Sequence, residues 1–194
     1  MARKLDQILV VDVEATCWEG DPPPGQISEI IEIGLCVLDV ATLTRVERRD
    51  ILVRPVCSTV SLYCSQLTTL TQAQVDDGGM PLVEACQLLA HEYQAPARLW
   101  ASYGDYDRKQ FERNCREYGI AYPFGPTHLN VKTLAAVACG WLGEVGMSEA
   151  LMRMGLTLEG THHRGDADAW NIAAILSRVL RSCRAEYAGL ASSA

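Results

Sequence analysis

Two carboxylates stand two positions apart in the first apolar segment of the chain. Asp12 and Glu14 belong to residues 7–14, whose β-branched side chains are typical of a strand. Alternate side chains leave the same face of a strand, so the two acids emerge together. Desolvation and repulsion disfavour such a pair, and a divalent cation such as magnesium or manganese relieves both. The pair alone is equally compatible with two acids that face water at a strand end.

A third acid heads a helical stripe. The residues at spacings of four, four and three are Asp107, Phe111, Cys115 and Tyr118. This period predicts a helix whose stripe packs on a sheet, with Asp107 pointing inward from the first turn. Asp105 precedes the helix and is interpreted as a cap or loop residue. An acid in a first turn also interacts favourably with the helix dipole, so Asp107 alone does not establish a metal site.

A fourth acid and a histidine lie at the start of the last predicted helix, over residues 167–182. The stripe at helical spacing is Asp168, Ile172, Ile175 and Val179. It aims Asp168 at the sheet, and Asp166, on the opposite side, is interpreted as the cap. His163 in the preceding loop is close enough to share a site with Asp168. His162 is either a neighbour of that site or part of the loop.

Together, the four acids and His163 predict a hydrolytic site. Acids from three separate segments that face one sheet form a repulsive cluster that cations neutralise. Two divalent ions about 3.5–4 Å apart are the arrangement used for phosphodiester hydrolysis, where one activates water and the other stabilises the leaving oxygen. His163 is the candidate general base that removes the proton from the attacking water.

The elements that position these residues predict an α/β fold. Three strands with short connections predict an antiparallel meander, and helices alternating with strands follow. We therefore expect one mixed five-stranded sheet, with three antiparallel strands plus parallel strands, flanked by helices in a single domain over residues 1–194. The strands are predicted at residues 7–14, 30–38, 46–53, 98–102 and 128–131.

Composition limits the function classes. Lys and Arg number 17 and Asp and Glu 24, so the net charge of −7 argues against a protein that grips long duplexes. The longest apolar run is too short to span a bilayer, and no secretory signal is recognised, so we expect a cytoplasmic protein without a membrane partner. The eight cysteines have no zinc-site spacing and are interpreted as small core residues.

The ordered residues resemble a known family. Asp12-x-Glu14, Tyr106-Asp107 and His163-x-x-x-x-Asp168 resemble the DEDDh family of 3′→5′ exonucleases, whose fold is ribonuclease-H-like. Further segments are similar to the Eri-type exoribonuclease branch, and the resemblance extends from about Ile8 to Leu180. These segments are residues 11–18, 29–34, 53–56, 66–68, 103–107 and 158–163.

The resemblance implies specific roles in the site. Its metal ligands, for two Mg²⁺ or Mn²⁺ ions, are Asp12, Glu14, Asp107 and Asp168, with His163 as the base. It also implies a strand-end site that accepts the last nucleotides of a single strand. The backbone of Ala15 and Thr16 would meet the terminal sugar, and Leu67 would wedge against its base.

Trp18 and Thr69 are two further positions near this implied pocket. Trp18 either stacks on a base or is buried beneath the proline-rich loop. Relatives commonly carry glycine where Thr69 stands, so the pocket near Leu67 is expected to have a different shape.

The leading hypothesis is a metal-dependent 3′→5′ exonuclease that releases nucleoside 5′-monophosphates from single-stranded nucleic acid, with RNA preferred. DNA 3′-end trimming or proofreading is an alternative, because the same catalytic set handles both sugars. A non-catalytic protein that binds nucleic-acid ends is the third hypothesis. The sequence identifies no stable protein partner.

Overall fold

Five strands form one mixed sheet in the order β3-β2-β1-β4-β5. The structure, a computed structural model, describes residues 4–192, and the side chains as far as residue 189. The strands are β1 (Lys4–Ala15), β2 (Ile30–Asp39), β3 (Arg45–Leu52), β4 (Arg98–Ser102) and β5 (His128–Asn130). β1, β2 and β3 pair antiparallel, whereas β4 pairs in parallel with the other edge of β1 and β5 pairs in parallel with β4. The predicted mixed α/β sheet is confirmed.

Alternate side chains of β1 enter two separate cores, one on each face of the sheet. Leu9, Val11 and Val13 pack with residues of the helices that follow β3 and β4, whereas Ile8 and Val10 pack with residues of the last three helices. The helices are α1 (Leu62–Thr68), α2 (Gln72–Gly78), α3 (Leu82–His91), α4 (Tyr106–Glu117), α5 (Val131–Ala138), α6 (Met147–Arg153) and α7 (Gly165–Ser192). Within residues 4–192, none of them combines the length and the apolar character needed to cross a membrane.

Two glycines let α7 begin directly on the sheet beside Asp12. Gly34 pairs with Asp12 across β1 and β2. A Cβ atom on Gly34 would lie 1.8 Å from the Gly165 carbonyl carbon, and one on Gly165 would lie 2.8 Å from the Gly34 nitrogen. Both contacts are closer than a side chain allows. The close approach therefore carries the first turn of α7, with Asp168, to the acids of β1.

The structure corrects several local predictions. Helix α7 begins at Gly165, and Asp166 is its second residue, where it pairs with Arg48 at 2.7 Å instead of capping the helix. Asp105 does occupy the N-cap position of α4, but its side chain makes no capping hydrogen bond. Helix α1 was not predicted. Its seven residues are too short for a clear apolar period.

The cysteines also divide differently from the prediction. Four are buried, as expected for small core residues, and Cys17 is half-buried, but the other three are exposed. The exposed cysteines are Cys57, Cys139 and Cys183. The core interpretation is therefore wrong for these three positions.

Candidate active site

The five residues singled out by sequence line one cavity of about 280 Å³, named here the acid cavity. They are Asp12 and Glu14 from β1, Asp107 from the first turn of α4, His163 from the loop before α7, and Asp168 from its first turn. Carboxylate oxygens of Asp12, Glu14 and Asp168 lie within 4.8 Å of one another. The structure thus brings together acids from three segments that lie more than 60 residues apart in the chain.

Asp107 is fixed directly to the strand that carries the first two acids. β4 pairs with β1 only as far as Val10. Beyond Val10, α4 contacts this edge of β1 in place of β4. Val13 stands between Asp12 and Glu14 in the chain, and its backbone N–H donates to Asp107 Oδ1 at 2.9 Å. This hydrogen bond sets the position of the third carboxylate relative to the first two.

The electrostatics of the cluster disfavour four negative charges. Burial, followed by the charges of Asp107 and Glu14, raises the pKa of Asp12 well above its ordinary value. Burial and the nearby acids raise the pKa of Glu14 from 4.5 to about 8. Burial also raises the pKa of Asp107 from 3.8 to about 6, although the Val13 N–H opposes the change. Bound cations would reverse these shifts, because they favour the ionised carboxylates.

The donor set fits a divalent metal ion. Three carboxylates converge from different elements, and their oxygens are the ligands preferred by Mg²⁺ and Mn²⁺. His162, His163 and Asp168 also place ligand atoms within 4.8 Å of one another. The chemistry of this cluster agrees with the divalent metal ions that the sequence resemblance implies.

Both histidines before α7 are tied to Asp168. The His163 backbone N–H donates to Asp168 Oδ2 at 2.9 Å, and His162 Nδ1 lies 3.0 Å from the same oxygen. The two imidazole rings stack with centroids 4.0 Å apart. Burial, together with His162, lowers the pKa of His163, so its ring is neutral near pH 7 and able to accept a proton. Of the two alternatives for His162, the structure supports a neighbour of the site, because His162 contacts Asp168.

A second buried acid, Glu32, anchors α7, although its position in the sequence indicates no catalytic role. Glu32 on β2 is fully buried and accepts hydrogen bonds from Arg164 Nε at 3.0 Å and the Gly165 N–H at 2.7 Å. This contact holds the start of α7 against the sheet. An acid within an apolar strand was a visible signal, but its partners lie 132 and 133 residues away, beyond any local pattern.

Three other polar residues line the acid cavity, and their sequence positions did not by themselves indicate a role. Lys132 at the start of α5 is the one Lys or Arg among the described residues that line the acid cavity. Tyr103 and Tyr106 line it as well. Lys132 therefore brings a positive charge to the edge of the carboxylate cluster, where its Nζ also lies 3.8 Å from Glu144 Oε2.

The four residues predicted to contact substrate are not among those that line the acid cavity. Thr16 is fully buried and its N–H donates to the Glu29 carbonyl at 2.8 Å. That N–H is already used, so a sugar contact from the Thr16 backbone would involve its other atoms, and the four substrate contacts stay predictions. Ala15 is buried, Trp18 is half-buried, and Leu67 is 36 % exposed on α1.

Helix α1 ends in a conformation that suits glycine. Thr69, at its C-cap, has φ of 64°, in the left-handed region that a β-branched residue rarely adopts. The Thr69 N–H still bonds the Ser65 carbonyl at 2.9 Å. The chain thus keeps a glycine-like backbone here even though glycine itself is absent, and Leu67 is held on a regular helical turn.

Comparison with known proteins identifies the family. The family model described as Exonuclease (RNase T type) matches residues 9–176. The chain belongs to this exonuclease family. Human 3′-5′ exoribonuclease 1 is 30% identical over 192 residues, which cover 91% of this exonuclease-family chain and 53% of the relative. The chain therefore spans about half the length of that human protein.

Two further relatives support the same assignment. The Drosophila melanogaster 3′-5′ exonuclease Snipper is 27% identical over 198 residues, which cover 90% of this chain and 69% of the relative. The solved nuclease domain of 3′hExo, a DEDDh family member bound to rAMP, superposes with a TM-score of 0.79 at 27% identity. That match covers 93% of this chain and 95% of the domain. The predicted resemblance to DEDDh exonucleases of the Eri type is confirmed.

Proposed function

We propose that the protein is a 3′→5′ exonuclease that releases nucleoside 5′-monophosphates from the 3′ end of single-stranded RNA. The observation that carries this proposal is the convergence of four carboxylates and His163 on one cavity of an exonuclease-family chain. The exoribonuclease name of the human relative and the rAMP in the similar nuclease domain support RNA as the substrate class.

The four acids would hold two Mg²⁺ or Mn²⁺ ions. Asp12, Glu14 and Asp168 present oxygens close enough to share an ion, and Asp107 is fixed beside them by Val13. When bound, such ions supply an activated water and a positive charge at the leaving oxygen. The raised pKa values of Asp12, Glu14 and Asp107 support this assignment, because these carboxylates lack the compensation that an ion would give.

His163 is assigned the proton transfer. Its lowered pKa leaves the imidazole able to take the proton of the attacking water at neutral pH. The stacked His162 ring and the Asp168 carboxylate hold the loop that carries it. Lys132, on the α5 side of the cavity, would orient the phosphate by its charge.

The test is digestion of 5′-labelled single-stranded RNA with and without Mn²⁺ or Mg²⁺. We expect stepwise shortening from the 3′ end and mononucleotide release only with metal. The His163→Ala variant should slow hydrolysis by about 10²–10⁴-fold and still bind metal, as expected on loss of an acid–base group. A matched DNA oligonucleotide should be a poorer substrate.

Each result has a defined meaning. RNA that stays intact with either metal contradicts exonuclease activity, and RNA binding without cleavage points to an end-binding protein. A strong preference for DNA would overturn the RNA assignment. Near-native turnover by His163→Ala would remove His163 from the proton transfer.

A further inference from the structure

Two neighbouring histidines meet one carboxylate at the edge of the acid cavity. His162 Nδ1 lies 3.0 Å from Asp168 Oδ2, and the rings of His162 and His163 stack with centroids 4.0 Å apart. Consecutive side chains point apart in a strand, but the backbone of His163 has a φ of 62°, in the left-handed region. This turn of the chain brings both imidazoles to the same side of the loop, next to Asp168.

These three residues form a donor set that differs from the carboxylate cluster. One ligand atom from each of His162, His163 and Asp168 lies within 4.8 Å of the other two. Imidazole nitrogens suit Zn²⁺, whereas carboxylate and water oxygens suit Mg²⁺ and Mn²⁺. Three protein ligands also leave the fourth position of a tetrahedral zinc ion to water. Asp168 belongs to both sets, because Asp12 and Glu14 converge on it as well.

The distances fit a zinc ion once the two rings tilt. Zn–N bonds of about 2.0–2.1 Å in a tetrahedron place neighbouring ligand atoms roughly 3.3 Å apart. The present separation of His162 Nδ1 and Asp168 Oδ2 is 3.0 Å. Parallel rings cannot both direct a nitrogen at one ion, so the stack has to open. The His162 side chain is 40 % exposed and has room to turn, whereas Asp168 is buried and held by the His163 N–H.

We propose that His162, His163 and Asp168 form a second metal site, which takes Zn²⁺ and inhibits hydrolysis. A neutral imidazole has one nitrogen that accepts, so an ion bound to the His163 ring leaves no acceptor for the proton of the attacking water. The same ion competes for Asp168 with the ions of the acid cavity. The zinc binding does not depend on the proposed function, whereas the inhibition rests on it.

The first test compares metal affinities in the absence of RNA. The first equivalent of Zn²⁺, and separately Mn²⁺, is titrated against a chromophoric chelator in the whole chain after EDTA treatment. His162→Gln should weaken Zn²⁺ binding by at least about tenfold and Mn²⁺ binding by less than about threefold, because it removes a nitrogen ligand only. Glu14→Gln should show the converse, because its oxygens belong to the carboxylate cluster alone.

Two controls separate this site from other zinc ligands. His91→Gln removes an exposed histidine on α3 and should leave both affinities unchanged. Free thiols bind zinc, so every protein carries serine in place of the three exposed cysteines. These are Cys57, Cys139 and Cys183. Thermal unfolding in EDTA checks that each variant is folded.

The second test identifies the ligands in the protein with all four of its histidines. The ring nitrogens are followed by NMR while one equivalent of Zn²⁺ is added. We expect the signals of His162 and His163 to shift, and those of His91 and His128 to stay in place. Addition of Mg²⁺ should leave the nitrogens of His162 unbound, because this ion prefers oxygen ligands.

The third test measures inhibition of RNA digestion at a fixed Mn²⁺ concentration. Each rate is divided by the rate of the same variant without Zn²⁺, because His162 also holds the loop that carries His163. Zn²⁺ that fills the site should slow the wild type by at least about tenfold, and His162→Gln by less than about threefold. The His91→Gln protein should be inhibited as strongly as the wild type.

The outcomes separate the two proposals. Equal Zn²⁺ affinity in the wild type and His162→Gln, or ring signals of His162 and His163 that do not shift, overturns the zinc site. If RNA is cleaved but Zn²⁺ inhibits the wild type and His162→Gln equally, the proposed function stands and the inhibitory role fails. If Zn²⁺ binds as expected but RNA is not cleaved with any metal, the zinc site stands and the exonuclease proposal fails.

Discussion

Glu29 and the acids of the acid cavity are buried carboxylates at the same end of the β1–β2 pair, but they are held in opposite ways. Glu29 accepts four hydrogen bonds, from the backbone N–H groups of Val56, Cys57 and Ser58 and from the Tyr118 hydroxyl. Burial raises the pKa of Glu29, but these donors outweigh it and the net shift is downward. Glu29 is therefore stabilised in its ionised form by the fold itself.

The acid cavity is compensated less completely. Asp107 accepts the Val13 N–H and Asp168 accepts the His163 N–H, yet the pKa of each is still raised. The Glu14 carboxylate accepts no hydrogen bond from residues 4–192, and its pKa is raised to about 8. Burial is thus a poor guide to function when it is considered alone. The supply of donors distinguishes the two regions: a carboxylate with enough donors stabilises the fold, and a cluster with too few gains its partner from outside.

The largest expected effect is on activity. Asp12→Asn keeps the shape of the side chain but removes one charge from the predicted metal site, so the kcat/KM for RNA should fall by at least about 10³-fold. The free energy of unfolding in EDTA should not decrease, because a repulsive charge is lost. Asp21→Asn, an exposed acid with the same charge change, is the control. Activity within tenfold of wild type would contradict the metal assignment.

The converse change at Glu29 should affect stability instead. Glu29→Gln replaces one accepting oxygen by an NH₂ group that faces N–H donors, and we expect about 2–4 kcal/mol of destabilisation. Urea unfolding measures this loss, and activity per folded molecule should change by less than about threefold. Glu19→Gln at an exposed position controls for the charge. A Glu29 variant that is fully stable but inactive would show that Glu29 serves activity and not stability, and would contradict this comparison.

A smaller change sharpens the same comparison. Tyr118→Phe removes one of the four donors of Glu29 and leaves the three backbone N–H groups in place. A loss of about 1.5 kcal/mol is expected, near the lower end for a hydrogen bond to a charged group. Tyr63→Phe on α1 gives the matched removal of a hydroxyl from a partly exposed side chain. Equal stabilities of the two variants would show that the backbone donors suffice for Glu29.

Local periodicity was sufficient to place most of the site. Strand alternation put Asp12 and Glu14 on one face, and helical stripes aimed Asp107 and Asp168 inward, because both patterns depend only on near neighbours in the chain. Contacts between distant segments had no such signal. The Glu32 anchor of α7 joins positions 132 and 133 residues apart, and the contact of His162 with Asp168 depends on where that anchor sets the helix.

Short elements and their boundaries were equally hard to predict. Helix α1 depends on the Ser61 side chain, which accepts the Cys64 N–H at 3.0 Å, and on the left-handed backbone at Thr69. A threonine does not indicate that conformation in advance. Helix α7 begins at Gly165, earlier than predicted, because Gly34 and Gly165 permit a close backbone approach. A pattern of side-chain types does not indicate such an approach.

The smallest expected effect is a pH dependence that isolates Glu14. Its pKa is about 8 in the folded protein against 4.5 ordinarily, so its contribution to stability is fully present below pH 4.5 and is lost as the pH rises towards 8. In EDTA, Glu14→Gln should match the wild type near pH 4 and exceed it by at least about 1 kcal/mol at pH 8, about 2–4 °C in Tm. Adding Mn²⁺ should reverse the order at pH 8, because the wild type gains binding energy that the variant lacks. A difference that stays constant with pH would show that Glu14 is already compensated, as Glu29 is, and the contrast between the two regions would fail at this residue.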